Sequence, residues 1–127
     1  MFEKEETMMD NTVTWFEVAT DDPEGAQHFY GGLFGWTFDR GDDGPLDYRM
    51  IGYPGGEQPA GGLFNTRGEF PSHAIFHVQV ADVEQTCAKS ESLGGKVITK
   101  VIDDGAGTDF AYIHDVSGSV FGVFHRR

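Results

Sequence analysis

Residues 12–36, TVTWFEVATDDPEGAQHFYGGLFGW, limit what this chain can fold into, because their pattern is written twice. The opening alternates with the period of a strand: Val13, Trp15, Glu17 and Ala19 on one side, Thr14, Phe16, Val18 and Thr20 on the other. A helix start follows. Asp22 is a good N-cap, Pro23 suits the first helical position, and Glu24 favours the positive end of the helix dipole. Ala26, Phe29, Tyr30 and Leu33 then recur at helical spacing, and Gly35 is a fitting stop. Phe16 and Val18 are expected to pack under the Phe29, Tyr30 and Leu33 stripe, which turns Trp15, Glu17 and Ala19 away from the helix.

The pattern returns at an offset of 60 residues, Trp15 to Ile75. Ile75-Phe76-His77-Val78-Gln79-Val80 answers Trp15-Phe16-Glu17-Val18-Ala19-Thr20, and Asp82-Val83-Glu84 answers Asp22-Pro23-Glu24. Leu93 answers Leu33, and Gly95 answers Gly35. Matches held in register across a strand and a helix point to an internal duplication of a module of about half the chain.

Taken in order, the chain predicts strand, helix, strand, strand, strand, stated twice. Residues 1–11 are polar and acidic without a period and read as a disordered tail. The first module spans residues 12–66, with further strands at 36–39, 46–53 and 60–65 and a turn-rich break at 40–45. Residues 67–72, RGEFPS, form the linker. The second module spans residues 73–125: a strand at 73–80, a helix capped by Asp82 with Gln85 placed for a capping box, a stop at Gly94-Gly95, and strands at 96–103, 108–115 and 120–125.

A length of 127 residues suits one domain burying roughly two thirds of its unfolded surface. Cys87 is the one cysteine, which leaves no intrachain disulfide and no cysteine-based zinc site. Nine Lys plus Arg stand against 21 Asp plus Glu, a net charge of -12. Nucleic acid needs a basic patch, and none is visible, so it is excluded as a partner. No run is long and apolar enough for a membrane span, and no basic-then-apolar signal pattern opens the chain, so a cytoplasmic protein is expected.

The twofold order, Phe29-Tyr30 with Leu33-Phe34-Gly35-Trp36, the joint Leu93-Gly94-Gly95-Lys96-Val97, and the ending Asp115-Val116-Ser117-Gly118 then Val120-Phe121-Gly122 resemble the vicinal oxygen chelate superfamily. This is the glyoxalase, bleomycin-resistance and extradiol dioxygenase group. The resemblance implies an α+β fold of two βαβββ modules, curled mixed sheets around a cavity with the helices outside, and a homodimer. For activity it implies either lyase or isomerase chemistry related to lactoylglutathione lyase or non-catalytic sequestration of an aromatic or cationic compound, as bleomycin-resistance proteins do. Family enzymes hold a divalent metal with four His, Glu or Gln side chains. Carried over, those positions fall on Trp15, Gly62, Ile75 and Gly122, none of which is a usable donor, so no metal and no other cofactor is expected. The remaining alternative is a metal enzyme whose ligands have moved.

Glu17 lies two residues past Trp15, and His77 two past Ile75, so alternation puts each on the face that carries a ligand position, and Gln79 is next along. A carboxylate and an imidazole across a cavity suit proton transfer on a small carbonyl or hydroxy compound. Glu17 and His77 are therefore the candidate catalytic residues, with Trp15, Ile75 and Gln79 lining the ligand's cavity. The plainer reading of the same pair is a structural hydrogen bond. Trp15, Phe64, Tyr48, Tyr112 and Phe124 line the pocket or simply fill it.

Overall fold

The computed structural model describes residues 10–40 and 47–127. The greater part of the predicted tail and of the turn at 40–45 lies outside the described residues. Asn11, at the end of the tail, is held: its N–H donates to the Gln79 carbonyl at 2.6 Å. The chain divides into two compact units, Trp15–Ala74 and Ile75–Arg127, the second taking in the chain up to Thr14. The elements are β1 (Thr12–Thr20), α1 (Pro23–Phe34), β2 (Thr37–Asp39), β3 (Tyr48–Gly52), β4 (Gly61–Asn65), β5 (His73–Gln79), α2 (Val83–Ser92), β6 (Lys96–Val101), β7 (Thr108–His114) and β8 (Val120–Arg126). This is the α+β order of two βαβββ modules.

In the first unit the strands run β2-β3-β4-β1, with β1 and β4 parallel and the other pairs antiparallel. Helix α1 begins where Asp22 Oδ1 accepts from the Gly25 N–H at 3.0 Å, with Pro23 buried at its first position. It ends at Gly35, whose φ of 73° an L side chain rarely adopts. Val18, Ile51 and Leu63 form the core under the helix, joined by Phe16, Ala26, Tyr30, Trp36 and Phe38. The predicted strand faces are correct, but two residues of the helix stripe are not where they were expected. Phe29 and Leu33 are each 59% exposed. A helix advances about 100° per residue, so Ala26 and Tyr30 meet the sheet while Phe29 stands off to one flank.

The second unit repeats the layout as β5-β8-β7-β6, with β5 and β8 parallel. Asp82 Oδ1 accepts from the Gln85 N–H at 2.9 Å to start α2, and Gly94 turns the chain at φ 98° after it. Val80, Val83, Cys87, Ala111, Ile113 and Val123 form its core. Phe76, expected under the helix like Phe16, is instead 48% exposed and stacks on Phe121. The position answering Tyr30 is Ser90, too small to reach over it. Burial raises the Cys87 thiol above its ordinary range and outweighs the opposing charge of Lys100. A thiol reagent at neutral pH is therefore expected to label Cys87 only as fast as the protein opens. Fast labelling of the native protein would contradict this.

Among the described residues no helix is long and apolar enough to cross a membrane.

Candidate functional site

The site residues named from the sequence lie on the side of their strands away from the helices, and each face is built by its own unit. On the first, β1 presents Trp15 and Glu17. The β1–β4 register pairs Glu17 with Gly62, and the β3–β4 register pairs Met50 with Gly62 and Tyr48 with Phe64. Neighbours across a sheet share a face, so these six residues do too. Trp15 Nε1 donates to Tyr48 Oη at 3.0 Å, which fixes the indole. The Tyr48 phenol lies over Gly62, where a Cβ would collide with it. Phe64 approaches Tyr48 at 6.3 Å between ring centres and stacks on Phe70. Glu17 is only 4% exposed, whereas Met50 and Phe70 are open to solvent. The result is an aromatic wall with a buried carboxyl group on the neighbouring strand.

The second face repeats this plan with different chemistry. Ile75, His77 and Gln79 alternate along β5. His77 is 5% exposed and pairs in register with Gly122. Tyr112 and Phe124 meet the imidazole edge to face, at 5.6 and 6.4 Å. A Cβ on Gly122 would collide with the imidazole at Nδ1 and Cε1. Gln79 is half-buried, and Thr14 Oγ1 donates to its Oε1 at 3.5 Å. The structure thus groups Trp15 with Glu17, and Ile75 with His77 and Gln79.

The roles of Gly62 and Gly122 were not read from the sequence, which marked them only as places where metal donors are missing. Their position in mid-strand was the available signal, since glycine there often marks a close approach. The metal implied by the resemblance does not fit these residues. Of the four positions, Trp15 and Ile75 carry no donor, and the space beyond Gly62 and Gly122 is filled by Tyr48 and His77. Among the described residues no three His, Cys, Asp or Glu side chains cluster to hold a metal ion. The other histidines are dispersed: His28 is exposed on α1, His73 Nδ1 lies 3.0 Å from the Pro71 carbonyl, and His125 Nδ1 lies 3.0 Å from the Val80 carbonyl.

A shallow groove of about 710 Å³ runs between α1 and β2, lined by Gln27, His28, Gly31, Trp36 and Phe38 among others. None of the site residues named from the sequence lines it.

A family model for the glyoxalase-like domain matches residues 15–124. The chain is 30% identical over 114 residues to the "Putative glyoxylase CFP32" of Mycobacterium tuberculosis, covering 88% of this chain but only 43% of that protein. It is 29% identical over 119 residues to a glyoxylase-like domain-containing protein of Didymella fabae, covering 90% of this chain and 93% of that one. Methylmalonyl-CoA epimerase from Mycobacterium tuberculosis has a similar structure, with TM-score 0.61 at 15% identity over 94% of this chain and 90% of the other. So does the hypothetical protein BH1468 of Bacillus halodurans, with TM-score 0.65 at 12% identity over 91% and 94%. At those identities the structural likeness shows the fold alone. The family match covers both modules, and the chain belongs to the glyoxalase-like domain family of the vicinal oxygen chelate superfamily.

Proposed function

We propose that this chain binds a small organic molecule on its helix-free faces and moves a proton on it, at a carbon next to a carbonyl or hydroxyl group, without a metal. The observation that carries this reading is the burial of one acid and one imidazole at answering places in the duplicated faces, Glu17 at 4% and His77 at 5% exposure. Arg49 and Thr66, buried polar residues as well, belong to the helix-side and turn networks of the first unit. Arg49 is bound to acids and an amide, and Thr66 Oγ1 accepts from the Gly68 N–H. Carboxylate and imidazole are the side chains best suited to take and return protons near neutral pH. An epimerase among the structural neighbours is in keeping with proton transfer at carbon, and this chain's substrate is its own question.

The test is solvent exchange. A panel of 2-oxo acids, 2-hydroxy acids and acyl thioesters is incubated with the protein in D2O and followed by proton NMR. A substrate should gain deuterium at one carbon, and Glu17→Gln or His77→Asn should slow this by roughly 10²–10⁴-fold while circular dichroism shows both variants folded. Exchange that persists unchanged in both variants would remove them from the mechanism.

The aromatic wall of Trp15, Tyr48, Phe64 and Phe70 favours a second reading, sequestration of a flat or cationic compound. In that case a ligand binds, is recovered without deuterium, and is lost on Trp15→Ala.

A further inference from the structure

Three observations put the Tyr48 hydroxyl beside Glu17. Glu17 stands opposite Gly62 in the β1–β4 register. The Tyr48 ring, paired in register with Phe64, crosses diagonally from β3, and its oxygen lies where a Cβ on Gly62 would go. Trp15, two residues before Glu17 on the same face of β1, donates its Nε1–H to Tyr48 Oη at 3.0 Å. An indole can only donate, so the phenol oxygen accepts there, and its own O–H is the donor that this pair presents. The fold itself does not call for that hydroxyl. In the second unit Phe110 stands opposite Phe124 as Tyr48 stands opposite Phe64, and it has no oxygen. Ile75, which answers Trp15, has no N–H to give one. Gly62 and Gly122 answer each other at the same offset of 60 residues. Glycine weakens a strand interior, yet each unit keeps one there, under the Tyr48 phenol in the first and the His77 imidazole in the second.

We infer that Tyr48 is a catalytic residue, whose O–H donates to the carbonyl oxygen of the substrate while Glu17 takes the proton from the neighbouring carbon. The inference rests on the proton transfer proposed above and names the group that polarises the carbonyl. When the C–H proton passes to Glu17, the C–H electron pair becomes the C=C bond of an enolate, and the carbonyl π pair moves onto oxygen. The Tyr48 hydrogen bond meets the charge that develops there. Return of a proton to the same carbon restores the carbonyl, so nothing is oxidised or reduced. A metal ion can polarise a carbonyl in the same way, and the phenol fills the space beyond Gly62 where the family places a ligand. Trp15 is a positioning residue: its N–H fixes the phenol oxygen and strengthens the O–H as a donor. The face also narrows the substrate. Trp15, Glu17, Tyr48, Met50, Gly62 and Phe64 include no cation to receive a carboxylate, and Phe64 with Phe70 adds an open aromatic surface. An uncharged aryl ketone fits both features.

Deuterium uptake by phenylacetone in D2O, followed by proton NMR over a range of ketone concentrations and corrected for exchange without protein, tests this. The proteins are the wild type, Tyr48→Phe, Trp15→Phe, the double variant and the control Tyr53→Phe. Tyr48→Phe keeps the ring over Gly62 and loses only the oxygen, so circular dichroism and urea melts should show it folded. It should slow exchange at saturation by roughly 10²–10³-fold, the usual effect of losing one donor to a developing oxyanion, with the half-saturating concentration little changed. Trp15→Phe should slow exchange less, and should add nothing in the Tyr48→Phe background, because its N–H acts through the hydroxyl. Tyr53→Phe should match the wild type. Wild-type exchange that Tyr48→Phe leaves unchanged, or a loss confined to the half-saturating concentration, overturns the role of Tyr48 and leaves Glu17 as the base. Phenylacetone that gains no deuterium from the wild type also overturns it, and the panel of acids and thioesters then decides the wider reading by itself.

Discussion

Gly122→Ala will destabilise the protein by about 2–3 kcal/mol, the cost of forcing one methyl group into a filled space. The new Cβ would fall on the His77 imidazole at Nδ1 and Cε1, and the ring cannot simply step aside, because Tyr112 and Phe124 hold it on edge. Gly122 lies opposite His77 in the β5–β8 ladder, so moving the backbone instead would break the parallel pairing of those strands. Urea melts give the cost directly, and the His77 ring protons should shift in NMR. The decisive comparison is a double-mutant cycle. In a His77→Ala background the methyl group finds room, so most of the Gly122→Ala penalty should vanish. Additive penalties would mean that the glycine serves something other than the imidazole. Removing the ring thus tests a steric role for Gly122 that is independent of any reaction His77 performs.

That role also shows how far the sequence could be read. The module plan was legible because it rests on local signals: Asp22 and Asp82 cap their helices as read, and alternation put Val18 in the core under α1. Glu17 and His77 fell on the helix-free faces by the same alternation. What covers each residue was less legible, since that depends on side chains from distant strands. Phe29 has the right spacing for the core stripe, and only the rotation of α1 on the sheet leaves it outside. Gly62 and Gly122 could be located in mid-strand, but the rings over them come from Tyr48 in β3 and His77 in β5, contacts that exist only once the register is set. Arg49 is the sharpest case. It sits between Tyr48 and Met50 on the core side of β3, where alternation calls for an apolar residue, and its partners come from α1 and from just before the strand.

Arg49→Ala should cost about 2–4 kcal/mol at neutral pH. Arg49 is 3% exposed, and its guanidinium donates in three directions: to Glu24 Oε1 at 2.7 Å, Gln27 Oε1 at 2.7 Å and Asp47 Oδ1 at 3.2 Å. It therefore ties the first turns of α1 to β3. Losing one partner of a buried ion pair typically costs about 3–5 kcal/mol, but the Glu24 side chain is 81% exposed, so water screens that pairing and brings the cost down to about 2–4 kcal/mol. Most of the loss falls on Asp47, which is 13% exposed and, among the described residues, keeps Asn65 Nδ2, at 3.2 Å, and the longer contact to Arg40. Arg49→Met keeps most of the volume and separates the charge from the cavity, so it should be the milder change. Acid gives the sharper test. The hydrogen bond from Arg49, more than that from Asn65, holds the Asp47 carboxyl below its ordinary value of 3.8, and desolvation only partly opposes this. A carboxyl group whose pKa is lower in the folded than in the unfolded chain adds stability above the unfolded value. That contribution disappears as pH falls through the folded one. The wild type should therefore lose stability over the window below about pH 4, and Arg49→Met should lose less there, so the gap between them narrows in acid. Urea melts at neutral pH and at steps down through that window measure the gap. A gap that stays constant into strong acid would show that the Asp47 charge has no share in what Arg49 contributes.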